Sequence, residues 1–149
     1  NGSGMFQHGH TYIGHPVAAA AANKTVEILS RRETLENVLQ MGCRLQAGLE
    51  ARLGQHAHVG DIRGRGLFRG VEIVADRDTK EAFDPARKIH ARIKREAMQC
   101  GLLCYPMGGS IDGVRGDHVL LAPPFIINAE EVDMIVDRLS LAIDAAIGT

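Results

Sequence analysis

The stretch VGDIRGRGLFRGVEIV, Val59 to Val74, carries glycines at 60, 64, 66 and 70 and then runs into an apolar segment. A glycine-rich stretch invites a phosphate-loop reading. A dinucleotide or P-loop motif, however, must lead into a helix whose N-terminus holds the phosphate. Here the glycines lead into a strand, Leu67 to Val74, with Leu67, Val71 and Ile73 as its apolar positions. Bends and close backbone contacts account for the glycines better than a bound phosphate does.

Upstream of this stretch a helix is expected from about Leu35 to Leu53. Leu35, Val38, Leu39, Leu45, Leu49 and Leu53 recur at three- to four-residue steps, Thr34 is positioned to cap it, and Gly54 closes it. Before that, Pro16 opens an alanine-rich helix reaching Leu29, where proline suits the first helical position. So many small side chains suggest close packing against another element. Asn1 to His15 reads as a Gly- and His-rich loop.

Downstream, Asp84 and Pro85 signal a helix start. That helix carries Ile89, Ile93 and Ala97 on one face and ends at Gly101. Leu102 to Tyr105 reads as a short strand stopped by Pro106, and Met107 to Gly116 as a flexible polar loop. A further strand, His118 to Ala122, is ended by Pro123 and Pro124. Asn128 caps a last helix with Val132, Ile135, Val136, Leu139 and Ile143 as its apolar stripe. Glu130 and Glu131 stand in its first turn, where the helix dipole favours negative charge. From about residue 33 onward the order is helix, strand, strand, helix, strand, strand, helix. That predicts an α+β unit: a small, mostly antiparallel sheet with helices on one face. Residues 1–32 are expected to be the end of a larger domain, and residues 33–149 a small C-terminal domain.

The 149 residues have a formal net charge of −1, which gives no electrostatic footprint for nucleic acid or an anionic membrane. No apolar run is long enough to span a bilayer, and the start lacks a basic region followed by an apolar core. Met5 lies inside a glycine-rich opening and does not read as a translation start. Cys43, Cys100 and Cys104 show neither metal-ligand nor redox spacing, so reduced thiols in a cytoplasmic protein are expected.

His8 and His10, like His56 and His58, are separated by one residue, but neither pair has a visible third ligand, so no metal site is expected. His15 and His118 read as structural. No Ser–His–Asp or Cys–His arrangement stands out. Two places have chemical potential. His10-Thr11-Tyr12 lies in a glycine-flanked loop, where a hydroxyl and free N–H groups suit a phosphate oxygen; an ordinary turn is the alternative. Arg115 is the only Lys or Arg between Arg95 and Arg138. It can clamp a carboxylate bidentately, or be a solvated loop charge.

Four stretches together carry a resemblance: FQHGHTYIGHPVAAAAA (Phe6 to Ala22), VGDIRGRGLFRGVEIV (Val59 to Val74), GLLCYP (Gly101 to Pro106) and GDHVLLAPPFIIN (Gly116 to Asn128). Taken together, and in this order, they resemble class III aminotransferases, the ω-aminotransferase-like branch of fold-type I pyridoxal-phosphate enzymes. The resemblance implies pyridoxal 5'-phosphate as cofactor, a homodimer with shared active sites, and an amine or amino acid and a 2-oxo acid as substrates. It implies that Thr11, helped by the backbone of His10, caps the cofactor phosphate of the neighbouring subunit. It also implies that the small domain closes over the substrate. Some family members carry an arginine just before the APP motif, where this chain has Leu120 and Leu121. Others use a mobile arginine before the GDH motif, which makes Arg115 the candidate for gripping a substrate carboxylate. The family's Schiff-base lysine lies well upstream of the threonine loop. Only ten residues precede Thr11 here and none is lysine, so the chain is expected to be a C-terminal part, inactive alone. The competing expectations are a non-catalytic α+β interaction module, and an aminomutase, racemase or decarboxylase of the same fold.

Overall fold

The computed structural model describes Gly4 and residues 8–148. These residues form two compact units, one ending at Leu35 and one beginning at Glu36.

The first unit holds a turn-rich loop and helix α1, Pro16–Leu29. Pro16 stands at its first position, and His15 caps it by accepting a hydrogen bond from Ala18 N–H at its Nδ1, 3.3 Å away. None of the α1 residues is buried. The close packing suggested by its alanines is therefore not met within the described residues. Helix α2, Arg32–Leu53, begins at the end of this unit, earlier than the sequence suggested. Thr34 is inside it rather than capping it. Its hydroxyl donates to Ile28 C=O (3.1 Å), so the cap signal belongs to a contact with the preceding helix.

The second unit contains the rest of α2, then β1 (Val59–Arg65), β2 (Phe68–Ile73), α3 (Ile89–Gln99), β3 (Tyr105–Gly108), β4 (Asp117–Leu121) and α4 (Ala129–Ile147). The four strands form one antiparallel sheet in the order β1-β2-β4-β3. One face supplies Val71, Ile73, Val119 and Leu121 to a core completed by Leu45, Leu49 and Leu53 of α2, Ile89 and Ile93 of α3, and Val132, Leu139 and Ile143 of α4. Fully burying one such aliphatic side chain contributes about 1.5–3 kcal/mol. Leu35 and Leu39, counted in the α2 stripe from the sequence, are exposed; Met41 is buried instead.

The glycines of the Val59–Val74 stretch serve the backbone. β1 and β2 are joined by a two-residue turn whose first residue, Gly66, has φ +56°, a conformation glycine adopts without strain. A Cβ added at Gly42 of α2 would lie only 2.5 Å from Gly66 O, so helix and hairpin touch through two glycines.

Two elements differ from the sequence expectation. Asp84 caps only a short 3-10 turn, Pro85–Arg87. Lys88 then breaks the path with φ 47°, and α3 starts at Ile89. One of its opening N–H groups finds its partner elsewhere: Asp117 Oδ1, at the start of β4, accepts from His90 N–H at 3.1 Å. The same oxygen lies 2.6 Å from His90 Nδ1. β3 begins at Tyr105, where the expected strand ended, and Pro106 lies inside it. β3 is an edge strand, where proline is tolerated because an N–H on the open side of the edge belongs to no ladder.

Candidate active site

In the first unit, residues 10–15 fold into two tight turns. Ile13 N–H donates to His10 C=O (2.9 Å), and His15 N–H to Tyr12 C=O (3.1 Å). Gly14 has φ +71°. The His8 and His10 rings meet edge-on at 4.6 Å, and Tyr12 leans on His15 at 5.3 Å. These contacts use the carbonyls of His10 and Tyr12. Among the described residues, neither the hydroxyl nor the backbone N–H of Thr11 has a hydrogen-bond partner. His10, Thr11 and Tyr12 are all exposed. A short loop thus presents a hydroxyl and an amide, both donors, with no protein acceptor. That donor set fits an oxygen of a phosphate monoester such as the one on pyridoxal phosphate.

In the second unit, Arg115 sits in the β3–β4 connection. The sequence suggested a flexible loop; the structure shows a laced one. Gly109 N–H donates to Gly116 C=O (2.7 Å), Ile111 N–H to Arg115 C=O (3.0 Å) and Gly113 N–H to Gly109 C=O (3.0 Å). At its centre Asp112 accepts from Val114 N–H (3.0 Å) and Arg115 N–H (2.7 Å) through Oδ1, and from Arg115 Nε (2.8 Å) through Oδ2. These donors, the Arg115 backbone amide foremost, hold the Asp112 carboxyl down at about 2. The Arg115 side chain stays 61% exposed. Asp112 was missed in the sequence, although Asp-Gly is a turn signal and its carboxylate stands three residues before the arginine.

The sheet face opposite the core bears Phe68, Tyr105 and Met107, all exposed. Leu120 pairs across the strands with Gly70 and Tyr105 on that face. His118 lies between Glu72 and Met107. Expected to be a satisfied structural histidine, it instead leaves a buried Nδ1 without a partner. That face was not singled out from the sequence, because β3 had been placed upstream and Tyr105 was not seen to pair with Leu120. A separate cavity of about 350 Å³ is lined by Leu102, Leu121, Pro123, Ile127, Met134 and Arg138, among others. His10 and Thr11 lie in the first unit and Arg115 in the second.

The remaining histidines and cysteines have local roles. His56 Nε2 is 3.0 Å from Asp144 Oδ1 on α4. His58 Nδ1 lies 3.0 Å from Ala75 C=O, and its ring packs on Phe83. Burial pushes the Cys104 thiol up to about 11, which keeps it protonated and unreactive. No helix among the described residues is long and apolar enough to cross a membrane.

An antiparallel α+β unit that follows a donor-rich loop and an alanine-rich helix defines a recognisable class of chain. The family description "Aminotransferase class-III" matches residues 2–143, and the chain belongs to that family. It is 44% identical over 137 residues to the uncharacterized aminotransferase C1771.03c of Schizosaccharomyces pombe, covering 92% of this chain and 30% of that protein. It is 40% identical to an aminotransferase of Gibberella zeae, covering 99% of this chain and 29% of that one. Among solved structures, an (S)-enantioselective ω-transaminase from Thermomicrobium roseum is similar at 31% identity and a TM-score of 0.83, over 98% of this chain and 31% of that one. The chain spans about 30% of the length of the first curated relative it matches.

Proposed function

We propose that this chain is the C-terminal part of a pyridoxal-phosphate-dependent aminotransferase that moves an amino group between an amine or amino acid and a 2-oxo acid. The observation that carries the reading is the Thr11 loop: a hydroxyl and a backbone amide without protein acceptors, on an exposed turn leading into a helix with no buried residue. In this reading His10 and Thr11 hold the cofactor phosphate of a neighbouring subunit in a homodimer, residues 1–32 end the large domain, and residues 33–149 form the small domain. When bound, pyridoxal phosphate supplies the electron sink for the bonds broken at the substrate's amine-bearing carbon. This chain's own residues donate hydrogen bonds to the phosphate from Thr11 and grip a substrate carboxylate from Arg115. The lysine that takes up the cofactor is assigned to a segment outside these 149 residues, so the chain alone does not transaminate. The unpaired cysteines favour a reducing compartment, the cytoplasm.

The test uses the complete protein, purified with cofactor and assayed with a panel of amines and amino acids against 2-oxo acids. A hydrogen bond to a charged group contributes about 1.5–3 kcal/mol, so Thr11→Ala should weaken cofactor affinity by about ten- to a hundredfold. Unchanged affinity in that variant, or no amino transfer with any pair in the panel, would sink the reading.

A further inference from the structure

We infer that Asp112 is a positioning residue that fixes the Arg115 guanidinium so that its outer edge is ready for a substrate carboxylate, and that it thereby favours carboxylate-bearing substrates. The inference rests on the proposed role of Arg115 and adds a residue to that site.

A guanidinium offers five N–H donors on a rigid plane. Asp112 Oδ2 takes only the Nε–H of Arg115, at 2.8 Å. No partner among the described residues takes the Nη1 and Nη2 groups of Arg115. A carboxylate has two oxygens at the spacing of two parallel N–H groups, so the free Nη edge suits bidentate capture. An arginine side chain free in solvent loses rotamer entropy when it is fixed. Here part of that ordering is already done: Asp112 holds the side chain at Nε and the backbone at Arg115 N–H and Val114 N–H. The loop ends are tied by Gly109 N–H to Gly116 C=O, which leads directly into β4. One carboxylate therefore sets both the turn and the direction of the arginine. A salt bridge on a solvated surface serves no such end when its arginine has no ligand. A positioning role for Asp112 confines its effect to substrates with a carboxylate.

The experiment uses the complete protein and the Asp112→Asn variant. Asparagine keeps an Oδ1 acceptor for Val114 N–H and Arg115 N–H, so the turn survives, while the partner of Nε is lost. KM for a 2-oxo acid and for an amino-acid donor should rise about three- to tenfold, the gain expected from preorganising one side chain. The kcat should stay within about twofold, and KM for a carboxylate-free primary amine should not change. In an Arg115→Ala background Asp112→Asn should have no further effect on KM, because the residue acts only through the arginine. A lower or unchanged carboxylate KM in Asp112→Asn, with Arg115→Ala still raising it, overturns the role of Asp112 and leaves that of Arg115 standing. A rise in KM that persists in the Arg115→Ala background also overturns it, since the effect would be on the loop. If Arg115→Ala leaves carboxylate KM unchanged, the reading of Arg115 itself fails, and the inference with it.

Discussion

Replacing Gly42 by alanine sets two physical effects against each other. Gly42 lies in the interior of the 22-residue helix α2. Helix propensity alone favours Ala over Gly there by about 1 kcal/mol. The structure opposes this. A Cβ at position 42 would sit 2.5 Å from Gly66 O, 2.6 Å from Gly66 C and 2.9 Å from Gly66 Cα, all of them backbone atoms. Carbon contacts are comfortable only near about 3.5–4.0 Å, so α2 must withdraw from the hairpin by roughly 1 Å. Gly66 is unable to yield easily, because its φ of +56° is set by the two-residue turn. Met41 and Leu45, buried on the same side of α2, would lose packing as the helix lifts. Overpacking of this kind costs about 1–3 kcal/mol. The bond from Arg69 Nη2 to Gly42 C=O, 3.1 Å long, would lengthen and give up about 1 kcal/mol more. The losses exceed the propensity gain, and the net destabilisation is about 1–3 kcal/mol. Urea unfolding should show a lower midpoint at an unchanged slope. Gln40→Ala, at an exposed position of the same helix, is the control and should stay within about 0.5 kcal/mol of the parent. A Gly42→Ala midpoint equal to or above the parent's would refute the argument that this glycine is there for the contact.

Three further outcomes are expected. Asp117→Ala leaves the amide of His90 and its ring without their buried acceptor, and should destabilise by about 1–3 kcal/mol, whereas Asp117→Asn, which keeps an acceptor, should lose less; unfolding midpoints of the two decide it. The folded-state pKa of Asp112, about 2, lies below the ordinary carboxylate value of 3.8. Its contribution is therefore complete above that ordinary value and lost only as pH falls through about 2, so the Val114 and Arg115 amide signals should hold their folded NMR shifts at pH ~3. At mildly alkaline pH a thiol reagent should label exposed Cys43 well before Cys104, whose thiol burial pushes up to about 11; peptide mass spectrometry reads the order.

What the sequence made legible was whatever is decided locally. Asn128 caps α4 as expected, and Glu131, expected only to suit the helix dipole, closes a reciprocal capping box with it. The α4 stripe followed, with Val132, Val136, Leu139 and Ile143 buried and Ile135 half-buried. The features that were misread depend on partners far along the chain. Asp84-Pro85 is a good local start signal, yet in the first turn of α3 the His90 N–H is taken by Asp117, a residue 27 positions further on. Pro106 is a good local stop signal, yet β3 is an edge, and only the strand order shows that a proline is harmless there. Thr34 has the chemistry of a cap, but its hydroxyl is used by Ile28. The candidate site divides in the same way. Thr11 and Arg115 were visible as residue types in loops. Asp112 becomes meaningful only once its three donors are placed, and Leu120 only once it is seen beside Tyr105.

The two units also differ in how they account for their own stability. The second has a continuous aliphatic core drawn from three helices and one sheet face. The first has α1, fourteen residues long with none buried. An isolated helix of that length is marginal in water even when rich in alanine, because nucleation is unfavourable and only packing offsets it. Its ion pairs among the described residues, Lys24 and Arg31 with Glu27, are exposed and contribute little. His15 at the start contributes a single capping bond. These local terms are small, and α1 keeps its whole surface exposed, open to a further packing partner. That is what the proposed function requires of it. A loop whose Thr11 faces another subunit's phosphate needs the helix behind it to be seated in an assembled enzyme. Under the proposed function, the loop that would hold the phosphate stands on a helix without a core of its own, and the 149 residues alone are expected not to transaminate.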